Sequence, residues 1–437
     1  MTEPRDLTLC RAAALLRRGT LSAEALVQSC LERIAAREPQ VRAWAVLQSD
    51  AALARAQQLD RKARRGGWAG PLHGIPLGVK DIIDVGGLET RAGTPAYPPR
   101  LAARDAPAVE RLRRAGAIVL GKTETTAFAY ADPAPTRNPW RLERTPGGSS
   151  AGSAAAVADR MCLAALGTQT AGSVLRPAAY NGIVGFKPSH GAIPLEGVIP
   201  LSWQLDHLGL LTRDVADANL LWQLLRDGAG SGAPRPLARK RPRRLWRVRG
   251  LFEEQAGPEA LAALEAACRK LARLGTKIVE LELPPAFAGV LEAHQTIMTA
   301  EAAAYHLAAW PERVPRYPPR IAEAIAEGRA VTAGAYIAAL RQRARLIAEL
   351  EPLLRQVDAV IGPTVNGPAP TPETTGVRNF QAPWSFCGIP ALTLPCGLSR
   401  DGLPLGLQLA TLRGGEDALL RVAGACEAAL GFAARPE

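Results

Sequence analysis

The chain has 437 residues, 47% of them hydrophobic and 22% charged, with a formal net charge of +12 at neutral pH. That balance suits a globular protein with a sizeable core and excludes a disordered one. Seven scattered cysteines without a CxxC pair, and five histidines without HExxH spacing, argue against a disulfide framework and against a zinc hydrolase.

The opening residues, MTEPRDLTLCRAAALLRRG, carry Glu3 and Asp6 and lack an uninterrupted apolar stretch, so they do not read as a signal peptide. No run approaches the roughly 20 apolar residues of a membrane span. The expected compartment is therefore cytoplasmic. Amphipathic helices are predicted over 7–18 and 22–37, the second capped by Ser22, and a third over 50–64 that stops at Gly66-Gly67. Residues 75–85 read as a strand passing into a loop, 107–115 as a helix with Pro107 in its first turn, and 117–120 as a buried strand. This alternation points to an α/β protein whose sheet is covered on both faces.

Further on, helices are predicted over 215–225 and 258–273 and a strand over 277–283. A helical stretch over 287–354 is broken by Pro311, Pro315, Pro318 and Pro319. Short buried strands at 357–361 and 391–395 frame a Pro-, Gly- and Thr-rich loop, 363–383, of a length that usually serves function. The one dense basic run, RPLARKRPRRLWRVR at 235–249, follows a Gly/Ala/Ser/Pro-rich spacer and contains a single Trp. Without interleaved aromatics it reads as a solvated linker, and nucleic acid is not an expected partner.

The chemistry concentrates between Thr145 and Pro188. Two small-residue turns, Gly147-Gly148-Ser149-Ser150 and Thr170-Ala171-Gly172-Ser173, are joined by an alanine-rich helical run and a short apolar one. Upstream, Gly74-Ile75-Pro76-Leu77-Gly78-Val79-Lys80-Asp81 sets a single lysine in an apolar segment. A phosphate loop fails because Ser153 stands where its lysine is required. A nucleophile elbow, G-x-S-x-G at 148–152, needs a strand before it and a histidine later in the chain. Residues 138–146 do not read as a strand, and no histidine follows His306. A serine activated by a neutral lysine needs no histidine, provided burial lowers the lysine's pKa. The apolar flanks of Lys80 suit that requirement. Ser150 and Ser153 read as turn and helix-start hydroxyls, and His73, His190 and His207 as ordinary hydrogen-bonding residues.

The segments Gly74–Asp81, Gly147–Ser153 and Gly167–Pro188 together resemble the amidase signature family of amide hydrolases. The spacings agree, 69 residues from Lys80 to Ser149 and 24 from there to Ser173. Residues 202–209, 388–391 and 401–408 resemble later blocks of that family, so the likeness spans essentially the whole chain. It implies one domain over 1–437, with a signature core at about 70–210 and a variable helical pocket region at about 287–354. The implied fold is a large α/β/α sandwich with a central mixed, mostly parallel sheet. It also implies a Ser-cisSer-Lys triad: Ser173 as nucleophile, Ser149 as bridge after a cis peptide bond to Gly148, and Lys80 as base. The backbone N–H groups of Thr170, Ala171, Gly172 and Ser173 would form the oxyanion hole, with no metal or cofactor. Two positions depart from the common pattern, Gln169 for an acid and Ala171 for a glycine, and are read as subgroup marks. Arg176 and Asp206 are read as an ion pair bracing the site.

The substrate pocket is expected from residues 290–345 and 363–385. Asn379, Phe380, Gln381 and Trp384 form an aromatic-plus-amide set suited to a small amide. Tyr305, Tyr317, Tyr336 and Arg320 are candidates for hydrogen bonding or for gripping a carboxylate. The reading is an amidase acting on a small carboxamide or urea-like amide, with a homodimer or a small partner protein left open. Two alternatives remain: the glutamine-hydrolysing component of a tRNA-dependent amidotransferase, and a catalytically inactive scaffold or basic binding protein.

Overall fold

Short apolar segments recur along the chain at lengths that suit buried strands, and they assemble into one large sheet. The computed structural model describes residues 3–98, 100–228 and 234–437. In chain order the strands are β1 (Trp44–Leu47), β2 (Pro76–Lys80), the short pair β3 (Glu89–Thr90) and β4 (Arg100–Leu101), β5 (Ile118–Thr123), β6 (Ala164–Gln169) and β7 (Val184–Lys187). Then follow β8 (His207–Thr212), β9 (Arg244–Arg247), β10 (Lys277–Val279), β11 (Ala359–Pro363), β12 (Ala391–Leu398) and β13 (Pro404–Ala410). Eleven of them form a mixed sheet in the order β1-β5-β2-β6-β8-β7-β12-β13-β11-β9-β10. Among the described residues no helix is long and apolar enough to cross a membrane.

The sheet is mixed, but the expected parallel majority needs correction. Parallel pairing is confined to β5-β2-β6 and to β11-β9-β10. The other pairings are antiparallel. The physical reason lies in the connections. Antiparallel neighbours need only a tight turn, and β12 returns as β13 through Asp401-Gly402, where Gly402 has φ +75°. Nothing in the local pattern of an apolar strand reports its direction.

Most predicted elements appear with shifted ends. The N-terminal helices span Leu9–Arg17, Ala23–Val41 and Ser49–Arg64, and the Ser22 hydroxyl accepts from Ala25 N as an N-cap. The helical region resolves into Val290–Ala309, Pro319–Ala330 and Ala333–Leu354, and the strand expected over 277–283 shortens to β10. The alanine-rich run forms the helix Ala151–Ala158, every residue of it buried, lying against β2 and β6. Its small side chains allow that approach. A Cβ on Gly152 would stand 2.3 Å from Ala43 O and 2.4 Å from Glu124 N, so only glycine fits there.

The basic run is not simply a linker. Its second half is β9, inserted between β11 and β10, with Leu245, Trp246 and Val248 fully buried. The arginines flank these apolar residues and find acidic partners, as Arg247 does with Glu253 at 2.8 Å. Counting charge masked a short apolar strand, with Leu245 and Trp246 both buried between arginines. The spacer residues 229–233 lie outside the described residues. Deleting 235–249 is therefore expected to prevent folding rather than leave the protein intact. Trp246→Ala should cost about 3–5 kcal/mol, read from guanidinium denaturation, and a variant as stable as wild type would show that β9 is dispensable.

Candidate active site

Lys80 closes β2, a strand buried along its whole length between the parallel neighbours β5 and β6. The register pairs Val79 with Leu166, which sets Thr168 near the end of β2. Lys80 Nζ lies 2.7 Å from Ser149 Oγ and 2.8 Å from Thr168 Oγ1, and the side chain is fully buried. Burial pushes its pKa well below the ordinary lysine value, while the charge of Asp206 opposes the shift. Lys122 on β5 makes the useful contrast. It is equally buried but pairs with Asp81 at 2.9 Å. One lysine has a carboxylate, and the other has only hydroxyls.

The first turn brings Ser149 to that amine. Gly147 has φ +79°, and the Gly148–Ser149 peptide bond is cis. Gly148 O accepts from Arg176 Nε at 3.2 Å and Nη2 at 2.7 Å, while Arg176 Nη1 donates to Gly376 O at 2.6 Å. Arg176 therefore ties the turn to the long 363–383 loop, and burial pushes its pKa down to about 10. Asp206 stands elsewhere, accepting from Thr170 Oγ1 at 2.5 Å and from Leu201 N and Ser202 N at 2.8 and 3.0 Å. The expected Arg176–Asp206 pair does not form. Both residues bind neutral groups of the two turns, for which Asp206, raised to about 6 by burial, is a strong acceptor. Ser150 and Ser153 donate to the carbonyls of Thr168 and Leu166 at 3.2 and 3.0 Å. His73 accepts from Ala69 N at 3.1 Å, and His190 Nε2 lies 3.0 Å from Trp203 O.

The second turn is held by its carbonyl groups. Gln169 O lies 3.2 Å from His207 Nδ1, Thr170 O lies 3.0 Å from His294 Nε2, Ala171 O accepts from Ser385 Oγ at 2.9 Å, and Gly172 O accepts from Arg176 N at 2.9 Å. In a trans peptide the carbonyl and the next residue's N–H point in opposite directions. Anchoring these four carbonyls therefore orients the N–H groups of Thr170, Ala171, Gly172 and Ser173. None of those N–H groups is paired with a backbone acceptor among the described residues. Gln169 explains its own departure from the acidic pattern. Its Oε1 accepts from Val174 N and Leu175 N at 2.9 and 3.0 Å, and its Nε2 donates to Ser385 Oγ at 3.1 Å. A carboxylate could keep the third contact only by accepting the Ser385 proton that now goes to Ala171 O.

Ser173, Thr170 and Ala171 line a cavity of about 290 Å³, together with Tyr130, Arg176, Met298, Arg320, Thr375, Arg378 and Asn379. Arg320 and Asn379 thus stand where the sequence suggested. Phe380, Gln381, Trp384 and Tyr336 do not line it. Phe380 and Trp384 are core residues, the Trp384 ring stacked on Phe252 at 5.3 Å. Gln381 is buried against the turn, with Nε2 donating to Thr364 O, and a Cβ on Gly172 would meet its Oε1 at 2.3 Å. Tyr336 Oη donates to Glu301 at 2.6 Å instead. Alternation of aromatic and amide residues cannot tell a pocket wall from a core face. Thr168, His207, His294 and Ser385 escaped notice as site residues because their partners are far off in sequence.

Ser385→Ala removes the anchor of Ala171 O and leaves Gln169 Nε2 unpaired. Hydrogen exchange in a peptide covering 169–175 should rise about tenfold, the equivalent of roughly 1–1.5 kcal/mol for one lost hydrogen bond. Unchanged protection would show that the turn holds itself.

The Amidase family model matches residues 25–420. The chain is 36% identical over 432 residues to an amidase of Pseudomonas putida, covering 92% of each. It is 34% identical over 458 residues to a 2-amino-5-chloromuconic acid deaminase of Comamonas testosteroni, covering 97% of this chain and 96% of that one. Relatives named as a glutamyl-tRNA(Gln) amidotransferase component also match, among them one of Roseiflexus castenholzii, 34% identical over 471 residues and covering 97% of this chain and 95% of that one. A crystal structure of an amidase superposes with a TM-score of 0.90 at 37% identity, over 97% of this chain and 99% of the other. The sheet, the two turns and these likenesses lead to one assignment: the chain belongs to the amidase family.

Proposed function

We propose that the protein hydrolyses a small carboxamide or urea-like amide to a carboxylate and ammonia or an amine, with Ser173 as nucleophile, Ser149 as bridge and Lys80 as base. The observation that carries this reading is Lys80 Nζ, fully buried and 2.7 Å from Ser149 Oγ, with Thr168 Oγ1 as its other neighbour. A neutral amine has one lone pair. Donating to Thr168 Oγ1, it is left able to accept the Ser149 proton.

In the proposed sequence Ser149 passes its proton to Lys80 as it takes that of Ser173, and Ser173 Oγ bonds to the amide carbon. Negative charge develops on the former carbonyl oxygen, which the oriented N–H groups of the second turn receive. Collapse breaks the C–N bond, and the proton returns through Ser149 to the departing amine. Water then cleaves the ester at Ser173, releasing the carboxylate by the same proton path. Asp206 supports the hole through Thr170 Oγ1 and touches no reacting atom in this scheme. The alternative of a glutamine-hydrolysing amidotransferase component has support in relatives such as that of Roseiflexus castenholzii. It differs in requiring glutamine and a partner protein. An inactive scaffold is the third possibility, and the engaged lysine speaks against it.

The test is ammonia release from a panel of small amides, including glutamine, by the protein alone. Ser173→Ala and Lys80→Ala should each lose at least about 10³-fold in kcat. A serine-directed fluorophosphonate should label wild type but not Ser173→Ala. Near-normal turnover by Lys80→Ala would show that another base acts, and an unlabelled wild type would remove Ser173 from its role.

Activity should also fall as pH drops. The base form of Lys80 exists only above its depressed pKa, so acid converts it to an ammonium with no lone pair. Protonation of Asp206, raised to about 6 by burial, removes a charge that favours the Lys80 ammonium, so it does not steepen this limb. On the acid side kcat is expected to decline about tenfold per pH unit for one protonation. A rate that still rises towards about pH 5 contradicts a lysine base.

A further inference from the structure

The peptide units of the second turn are not held equally. Gln169 ends β6, where its register with His207 fixes the backbone, and its side chain ties down Val174 N and Leu175 N. Ala171 O is held by Ser385 Oγ, which also accepts from Gln169 Nε2. Gly172 O accepts from Arg176 N and so joins the first turn of the helix Leu175–Tyr180. Thr170 O differs. Its one partner among the described residues is His294 Nε2 at 3.0 Å, from 124 residues further along the chain.

On the other side of the same peptide unit, Ala171 N meets no backbone acceptor among the described residues. Thr170 and Ala171 both line the cavity that opens on Ser173. The bond from Thr170 Oγ1 to Asp206 holds a side chain, not the peptide plane, and the Ala171 methyl offers no polar hold. A planar unit of this kind can still swivel about the bonds to its two Cα atoms, which swings the N–H out of line.

His294 supplies the missing restraint. A carbonyl oxygen only accepts, so the hydrogen of this pair sits on Nε2. The ring is buried, and burial first and the charge of Arg378 next push its pKa down to about 3, which keeps it neutral. Its helix, Val290–Ala309, is itself fixed. Gly328 of the helix Pro319–Ala330 packs so closely that a Cβ there would stand 1.9 Å from Thr299 O. The donor thus stands on a rigid support.

We infer that His294 is a positioning residue: its Nε2–H fixes the Thr170–Ala171 peptide unit so that Ala171 N–H points at the oxygen that gains charge when Ser173 attacks. His294 touches no reacting atom. The inference rests on the reading of Ser173 as nucleophile, and it gives the helical region a part in the rate as well as in the pocket wall.

The kinetics of labelling by a fluorophosphonate test it. Ser173 Oγ bonds to phosphorus, fluoride leaves, and the serine proton passes through Ser149 to Lys80, while charge builds on the phosphoryl oxygen in the oxyanion hole. The final extent of labelling counts folded sites. The saturating rate, kinact, reads the hole, and the half-saturating concentration, KI, reads binding. His294→Leu and His294→Phe both remove the donor, so misfolding of one leaves the other to decide. Each should lower kinact by at least about tenfold, less than the roughly 10²–10³ of deleting a hole donor outright, with KI within about threefold. In His294→Gln the amide Nε2 lies as many bonds from Cα as the imidazole Nε2, and kinact should return to within about threefold of wild type.

Unchanged kinact in a fully labelled His294→Leu or His294→Phe overturns the inference. So does a loss in His294→Gln equal to that in His294→Leu, which would assign the effect to the ring's bulk. Either result leaves the serine reading standing, since wild type is still labelled at Ser173. An unlabelled wild type removes Ser173 from its role and this role of His294 with it.

Discussion

An amine kept out of water, with hydroxyls and no carboxylate as direct partners, is the constraint on which the rest of this site depends. In water Lys80 would be an ammonium and useless as a base. Burial at the end of β2 makes the neutral form favourable, and the two hydroxyls at 2.7 and 2.8 Å satisfy it without restoring the charge. The adjacent strand holds the counter-example, since Lys122 keeps its ion pair with Asp81. The difference between a structural and a chemical lysine is here a difference of partner.

That constraint governs the packing around it. To dry Lys80, β2 must lie inside the sheet with parallel neighbours on both sides, and a helix must close over it. The helix Ala151–Ala158 comes close enough only because its residues are small and Gly152 has no Cβ. The same helix begins just after Ser149. Delivery of the serine and exclusion of water are thus one structural event.

The second turn is rigid for a different reason. Its carbonyls are anchored from outside by residues of β8, of the helix Val290–Ala309 and of the short helix Ala382–Phe386. The helices Val290–Ala309 and Pro319–Ala330 therefore orient the backbone of the turn, through His294, as well as walling the cavity, through Met298 and Arg320. A change of pocket shape and a change of backbone orientation are coupled through His294. Charge is divided in a similar way: Arg247 of β9 has Glu253 beside it, whereas the arginines of the cavity have only carbonyls, an amide and a thioether sulfur.

By itself the sequence determined what is local. Apolar runs of five or six residues, the Ser22 cap, the alanine helix and the glycine turns follow from propensity and backbone freedom, and each lies within a few residues of its cause. The spacing of Lys80, Ser149 and Ser173 identified the family, because three motifs in register are far more specific than one. Tertiary structure alone decided what depends on distant partners. Strand direction in β8, β12 and β13 has no local signature, and the strand β9 was hidden beneath its own arginines. His294 meets Thr170 across 124 residues and Ser385 meets Ala171 across 214, distances at which no periodicity or turn preference carries information. For the same reason Phe380 and Trp384 read as pocket residues until the fold put them in the core. Arg176 and Arg378, separated by about half the chain, became members of one cavity only when the long loop folded over the turn.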